Sequence, residues 1–213
     1  MGGTGVLSAA SEYIGNNGAG TFTQTGGTNS VQQQLILGAN WGSSGTYNLS
    51  GGSLSVLDDE IVGRYGSGTF SQSGGTNQSY TLYLGVYSGS SGNYSLSNGS
   101  HTLSYLYGGY SSGASGTYSL SDTGSLSASG ETIGFSGTAI FNQSGGTNTV
   151  GALDLGTYAG GSGNYNLTGG SLQASSIYIG SAGNGAFTQS GGTNTAGFLG
   201  LGAVGGSGSY ALS

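Results

Sequence analysis

The chain has no proline, no cysteine and a single lysine or arginine; only 4% of its 213 residues are charged, and the net charge is −6. Each shortage excludes something. One basic side chain cannot build the cationic patch that nucleic acid demands. It also offers little to an anionic membrane surface, so neither partner is expected. No apolar run approaches the roughly 20 residues of a membrane-spanning helix, and membrane insertion is not expected. The start, Met-Gly-Gly-Thr-Gly-Val-Leu, has neither a basic segment nor a full apolar one, so no signal peptide is read there. Absent cysteine leaves the redox compartment open. Leu, Ile, Val and Phe amount to only 40 residues, close to the range of disordered chains. Disorder also wants high net charge, which is missing here. No helical periodicity or capping signal persists anywhere.

What the chain has instead is glycine, 50 residues of it, and a period. Phe22, Tyr47, Phe70, Tyr94, Tyr118, Phe141, Tyr165, Phe187 and Tyr210 recur at intervals of 22 to 25 residues. A glycine closing a short apolar run recurs in step at Gly15, Gly38, Gly63, Gly85, Gly108, Gly134, Gly156, Gly180 and Gly202. A fixed period in this range predicts a stacked, quasi-one-dimensional fold. The repeats leave no seam, so residues 1–213 read as one domain. The expected architecture is all-β: a solenoid of about nine coils with two or three short parallel strands each and uncapped ends. At roughly 4.7–4.9 Å per coil, nine coils make a rod about 40 Å long.

The coils come in two kinds. Type A reads Phe-x-Gln-Ser/Thr-Gly-Gly-Thr-Asn, at residues 22–29, 70–77, 141–148 and 187–194. Type B reads Tyr-x-Leu-Ser/Thr, a glycine-containing turn, then Ser-Leu, at 47–54, 118–126 and 165–172. Tyr94 begins a B unit with His101 in place of the second Leu. Alternation breaks once, between Tyr94 and Tyr118. Two positions switch together between the types: Gln24 against Leu49, and Asn29 against Leu54. Alternate strand residues share a face, so each Gln points inward with its aromatic. A buried Gln needs hydrogen-bond partners. The spacing predicts facing amide pairs across the turn: Gln24–Asn29, Gln72–Asn77, Gln143–Asn148 and Gln189–Asn194. Amides stacked along the axis could also form ladders. On that reading Gln143→Leu orphans Asn148, and adding Asn148→Leu restores stability.

The two ends read as complementary. The chain stops on Tyr210 and Leu212, the first strand of a B coil, and starts with Val6, Leu7, Tyr13 and Ile14, the remainder of one. Joined end to end, Tyr210–Gly15 supplies 19 residues where Tyr47–Gly63 supplies 17. Head-to-tail contacts that do not close build filaments, so the expected partner is the chain itself. The same ends fit a piece cut from a longer array or a trimmed mature chain.

Gln24-Thr-Gly-Gly-Thr-Asn-Ser-Val31, Gln143-Ser-Gly-Gly-Thr-Asn-Thr-Val150 and Gln189-Ser-Gly-Gly-Thr-Asn-Thr-Ala196 resemble the curlin repeat of bacterial extracellular amyloid fibres. Gln72–Asn77 matches, with Ser79 at the small apolar position, and the B coils lack the motif. The alternation also resembles the Gly/Ser/Thr-rich repeats of large secreted bacterial surface proteins. Both resemblances imply a non-enzymatic role outside the cell or on its surface, either as a filament or as an adhesin.

Chemistry-bearing residues are few. His101, the only histidine, reads as an interior group rather than a base. Asp58, Asp59 and Glu60 read as a solvated corner, with weak calcium binding the alternative and Arg64 a partner for Glu60. Glu12, Asp122, Glu131 and Asp154 sit in different coils, too scattered for the paired carboxylates of glycoside cleavage. Glu12, Glu60 and Glu131 share a column, three residues before the landmark glycine. No Ser-His-Asp set, nucleotide loop or metal spacing is present, so no enzyme activity or cofactor is expected. Outward rows such as Thr21/Thr23, Thr46/Asn48, Thr69/Ser71, Thr117/Ser119 and Ala186/Thr188 resemble ice-binding surfaces, though Ile140, Asn164 and Ala211 interrupt them. Exposed Tyr83, Tyr87, Tyr105 and Tyr107, placed on that same face, could hold glycans by stacking.

Overall fold

A computed structural model describes residues 3–213. The fold is all-β: eighteen strands in one hydrogen-bonded sheet, every pairing parallel, wound as a solenoid. Each coil has up to three arms. In one coil these are Ser44–Leu49, then the two halves of Ser53–Val62, bent by a register shift between Val56 and Asp59. Every arm pairs with the same arm one coil away, so Tyr47 lies between Phe22 and Phe70, and Leu54 between Asn29 and Asn77. Matching sequence positions thereby become axial neighbours, which is what the period implies.

The nine landmark aromatics form one uninterrupted stack. Successive ring centroids lie 4.6 to 4.9 Å apart. Beyond the first pair the rings are within 12° of parallel. The coil spacing falls within the centroid separations that offset-stacked rings prefer, so stacking and backbone pairing favour the same repeat. Seven of the nine rings are fully buried. Around them run columns of Leu, Ile and Val, including Leu49, Leu96, Leu120 and Leu167.

Two glycine columns turn the chain. One lies at the corner after the third arm and is left-handed in all nine coils, with φ between 60° and 80°. Its member in the Tyr94 coil is Gly109, not Gly108. Gly108 ends the third arm, paired with Leu84 and Ile133. The apolar run there is one residue longer than the spacing suggested, because the side chain that should close it is missing. Ala139 occupies the vacated room: it stands in a first-arm column of glycines, between Gly116 and Gly163. A Cβ on Gly108 would lie 2.7 Å from the Ala139 Cβ. The second column sits in the turn between the first two arms, and there Asp122, at φ 48°, is the only left-handed residue among those described that is not glycine. Asp tolerates that conformation better than most residues. This turn carries one extra residue, which is why Leu126 follows Tyr118 by eight positions.

Candidate functional site

The Gln and Asn of the first three A coils are buried and those of the fourth, Gln189 and Asn194, half-buried, but they do not bond each other. A tyrosine hydroxyl from the next coil bridges them. The Tyr47 hydroxyl donates to Gln24 Oε1 at 2.6 Å and accepts from Asn29 Nδ2 at 3.2 Å. Tyr94 bridges Gln72 and Asn77, Tyr165 bridges Gln143 and Asn148, and Tyr210 bridges Gln189 and Asn194 in the same way. The Gln amide nitrogen is spent on backbone carbonyls, Gly27 in its own coil and Ser53 in the next. No Gln–Gln ladder runs along the axis, because Leu49, Leu96 and their equivalents separate the amides.

A fourth member comes from the coil before. Asn29 donates to Glu12 Oε2 at 3.1 Å, Asn77 to Glu60 at 2.9 Å and Asn148 to Glu131 at 3.1 Å. Each cell therefore spans three coils: Glu, then Gln with Asn, then Tyr. Ile177 stands where the Gln189–Asn194 cell would have its Glu. Between polar cells lie apolar ones. Leu106, Leu120, Leu126 and Phe141 hold the four equivalent positions, and all are buried.

This grammar accounts for the alternation of Phe and Tyr. A buried phenol needs a partner. Tyr occurs where the coil beneath offers amides; Phe occurs where it offers leucines. The two consecutive B coils test the rule, because Tyr118 has a B coil beneath it. There His101 replaces the expected Leu, in register with Asn77 and Leu126, and its Nδ1 lies 3.4 Å from the Tyr118 hydroxyl. The lone histidine and the lone break in alternation are one fact. The neutral tautomer carrying its proton on Nε2 satisfies both sides: Tyr118 donates to Nδ1, and Nε2–H faces Ser79 Oγ at 3.4 Å and Glu60 Oε2 at 3.7 Å. Burial depresses the His101 pKa to about 3, so the imidazole is neutral and this close approach is not an ion pair.

The acidic cluster splits. Asp58 is exposed, Asp59 half-buried and Glu60 fully buried. Only Asp58 and Asp59 bear out the reading of a solvated corner, and the three carboxylates do not converge. Glu60 does not pair with Arg64 either: it points into the core, whereas Arg64 follows the Gly63 corner and lies over the Tyr65 ring on the outside. Asp122 is in the exposed turn, and Asp154 lies on the third arm beside Thr132 and Tyr178. Tyr83 and Tyr107 stand on the outside of the third arm and Tyr87 at its corner, not on the first-arm face that carries the Thr rows.

Burial raises Glu60 and Glu131 to about 7, against donation from Asn77 and Ser79 in one case and Asn148 in the other. Each complete cell also leaves one Glu oxygen and the Asn oxygen without a donor. A proton on the carboxyl brings a donor into a cell that lacks one. The unfolded chain releases these protons near pH 4.5 and the folded chain holds them to about 7. Their contribution to stability is thus fully present below pH 4.5 and lost as pH rises through 7. Linkage makes it about 3 kcal/mol per carboxyl. Urea midpoints should fall from pH 5 to pH 8, and Glu131→Gln should flatten that fall. A flat profile in the unmodified protein would show that these carboxyls stay ionised in the core.

Among the described residues five strands are paired on one side only. At the N-terminal end these are Val6–Ala9 and Glu12–Ile14, the second and third arms, and Ala19–Gln24, the first arm of the coil above them. At the C-terminal end they are Thr193–Leu201 and the first arm Ser207–Leu212. Seven of the fourteen exposed large apolar side chains lie in these end coils: Val6, Tyr13, Phe198, Leu199, Leu201, Val204 and Leu212. Leu7 and Tyr210 are half-buried and Ile14 is buried.

Fold and repeat define the class: a β-solenoid repeat protein. The chain matches no family profile, no curated protein sequence and no solved structure.

Proposed function

We propose that this chain is a structural protein whose coils stack head to tail with those of further copies, forming an extracellular filament or matrix. The observation that carries this reading is the fit between the two end coils. Thr193–Leu201 and Ser207–Leu212 leave all three arms open on one side, and Val6–Ala9, Glu12–Ile14 and Ala19–Gln24 leave all three open on the other. Joining them also keeps the cell grammar in phase. Tyr210 already sits over the amides of the A coil beneath it, Gln189 and Asn194, and Leu7, paired with Asn29, would bring the B-type leucine. Glu12 would then serve Asn29 as it does here. Unpaired, nearly uncharged edges with exposed Val6, Leu199 and Leu212 lack the usual defences against strand addition. The curlin-like Gln-x-Gly-x-x-Asn motif supports a place among secreted bacterial fibre proteins.

Purified protein should form unbranched filaments visible by electron microscopy, and sedimentation should show growth with concentration. Val6→Lys with Leu199→Lys should leave a folded monomer. Wild-type protein that stays monomeric at its solubility limit would sink the proposal.

A further inference from the structure

A second aromatic assembly lies outside the solenoid, and it borders an open trough. Along the third-arm corner Trp41 lies 5.6 Å from Tyr65, and Tyr65 stacks on Tyr87 at 4.2 Å. Farther along, Tyr110 stacks on Phe135 at 4.7 Å, and Phe135 meets Tyr158 at 4.6 Å. Between these two runs lies a trough of about 230 Å³. Its apolar floor contains Ile61 and Val86, which belong to a small core separate from the main one. Tyr83 and Tyr110 wall it, edge to face at 5.3 Å. Its rim is polar: Asp59, Gln34 and Arg64. These three are held in place. Gln34 Nε2 donates to Asp59 Oδ2 at 3.1 Å, and the Arg64 guanidinium sits 5.6 Å from the centre of the Tyr65 ring. The one Lys or Arg of the whole chain is thus at the rim of its aromatic trough.

We propose that this trough binds a neutral hexopyranose unit of a glycan. A pyranose ring presents C–H groups on its faces and hydroxyls around its edge. The first suits the tyrosine rings and the apolar floor; the second suits a carboxylate, an amide and a guanidinium on one rim. The volume is below the roughly 300–1,000 Å³ of pockets that engulf drug-sized ligands, so it takes one ring. Asp58 beside Asp59, and a net charge of −6, oppose acidic sugars. The exposed rings of Trp41 and Tyr158 lie farther along the axis on either side, where neighbouring units of the same glycan could stack. Tyr105, although exposed, lies outside the trough.

The test uses the unassembled Val6→Lys/Leu199→Lys protein, so that its outcome does not depend on filament formation. Tyrosine ring resonances are followed during titration with cellohexaose, maltohexaose, mannohexaose and chitohexaose, with an oligogalacturonate as the acidic comparator. At least one neutral oligosaccharide should bind saturably and better than the oligogalacturonate. Asp59→Ala and Tyr87→Ala should each weaken it about tenfold, and Tyr83→Ala more. Tyr105→Ala should leave it unchanged. Absence of saturable binding by all four, preference for the acidic sugar, or binding that survives Asp59→Ala and Tyr83→Ala would overturn the assignment.

Discussion

Gln143→Leu should destabilise the protein by about 1–3 kcal/mol, and adding Asn148→Leu should deepen the loss rather than repair it. The single change removes the acceptor of the Tyr165 hydroxyl and the donor to Gly146 O and Ser171 O. The second change strips Glu131 Oε2 of its Asn148 donor and leaves Tyr165 with neither amide. Repair requires all four members to change. Gln143→Leu, Asn148→Leu, Tyr165→Phe and Glu131→Leu together rewrite the cell as a copy of Leu106–Leu120–Leu126–Phe141, which the chain already packs. Replacing a complete buried polar network by apolar groups of similar size is often neutral or stabilising. The urea midpoint of the quadruple variant should therefore return to or exceed the wild-type value, with an unchanged slope. A quadruple variant no more stable than the double would show that the hydroxyl and carboxyl are not energetically part of the cell.

The largest single-residue effect should come from a methyl group. A Cβ on Gly163 would sit 1.8 Å from Ile133 O and 2.7 Å from Gly156 N. That oxygen and that nitrogen are themselves joined, Gly156 N–H donating to Ile133 O at 2.9 Å. Gly163→Ala would thrust a carbon into an axial backbone hydrogen bond, with no flexible side chain able to move aside. The expected cost exceeds about 4 kcal/mol, at the far end of single-substitution effects. Gly130→Ala is the control. Its nearest neighbour is the Tyr105 ring at 3.3 Å, a side chain that can turn, and its cost should stay below about 1 kcal/mol. Circular dichroism and thermal melts of the two variants give the comparison. If Gly163→Ala melts like Gly130→Ala, the coils are not packed as closely as described. Ala139 exists in the same column because Gly108 made room, so the limit on this column is set by local space.

Much of this architecture is legible in the sequence. The recurrence of Phe22 through Tyr210 determines the coil count, the parallel stacking and the aromatic column, because in a solenoid equal spacing along the chain becomes adjacency along the axis. The paired switch of Gln24/Asn29 to Leu49/Leu54 likewise marks inward positions. The cells were present as signals too: Tyr always follows an amide-bearing coil except above His101, and Glu12, Glu60 and Glu131 each precede one. Those signals are offsets of one coil between different arms, and spacing within a repeat does not state which arms touch. Only the tertiary structure decided that the Tyr47 hydroxyl reaches back to Gln24 and Asn29 and that Glu12 reaches forward. It alone turned Glu60 inward and Asp59 outward, because the register shift after Val56 resets which alternate residues face the core.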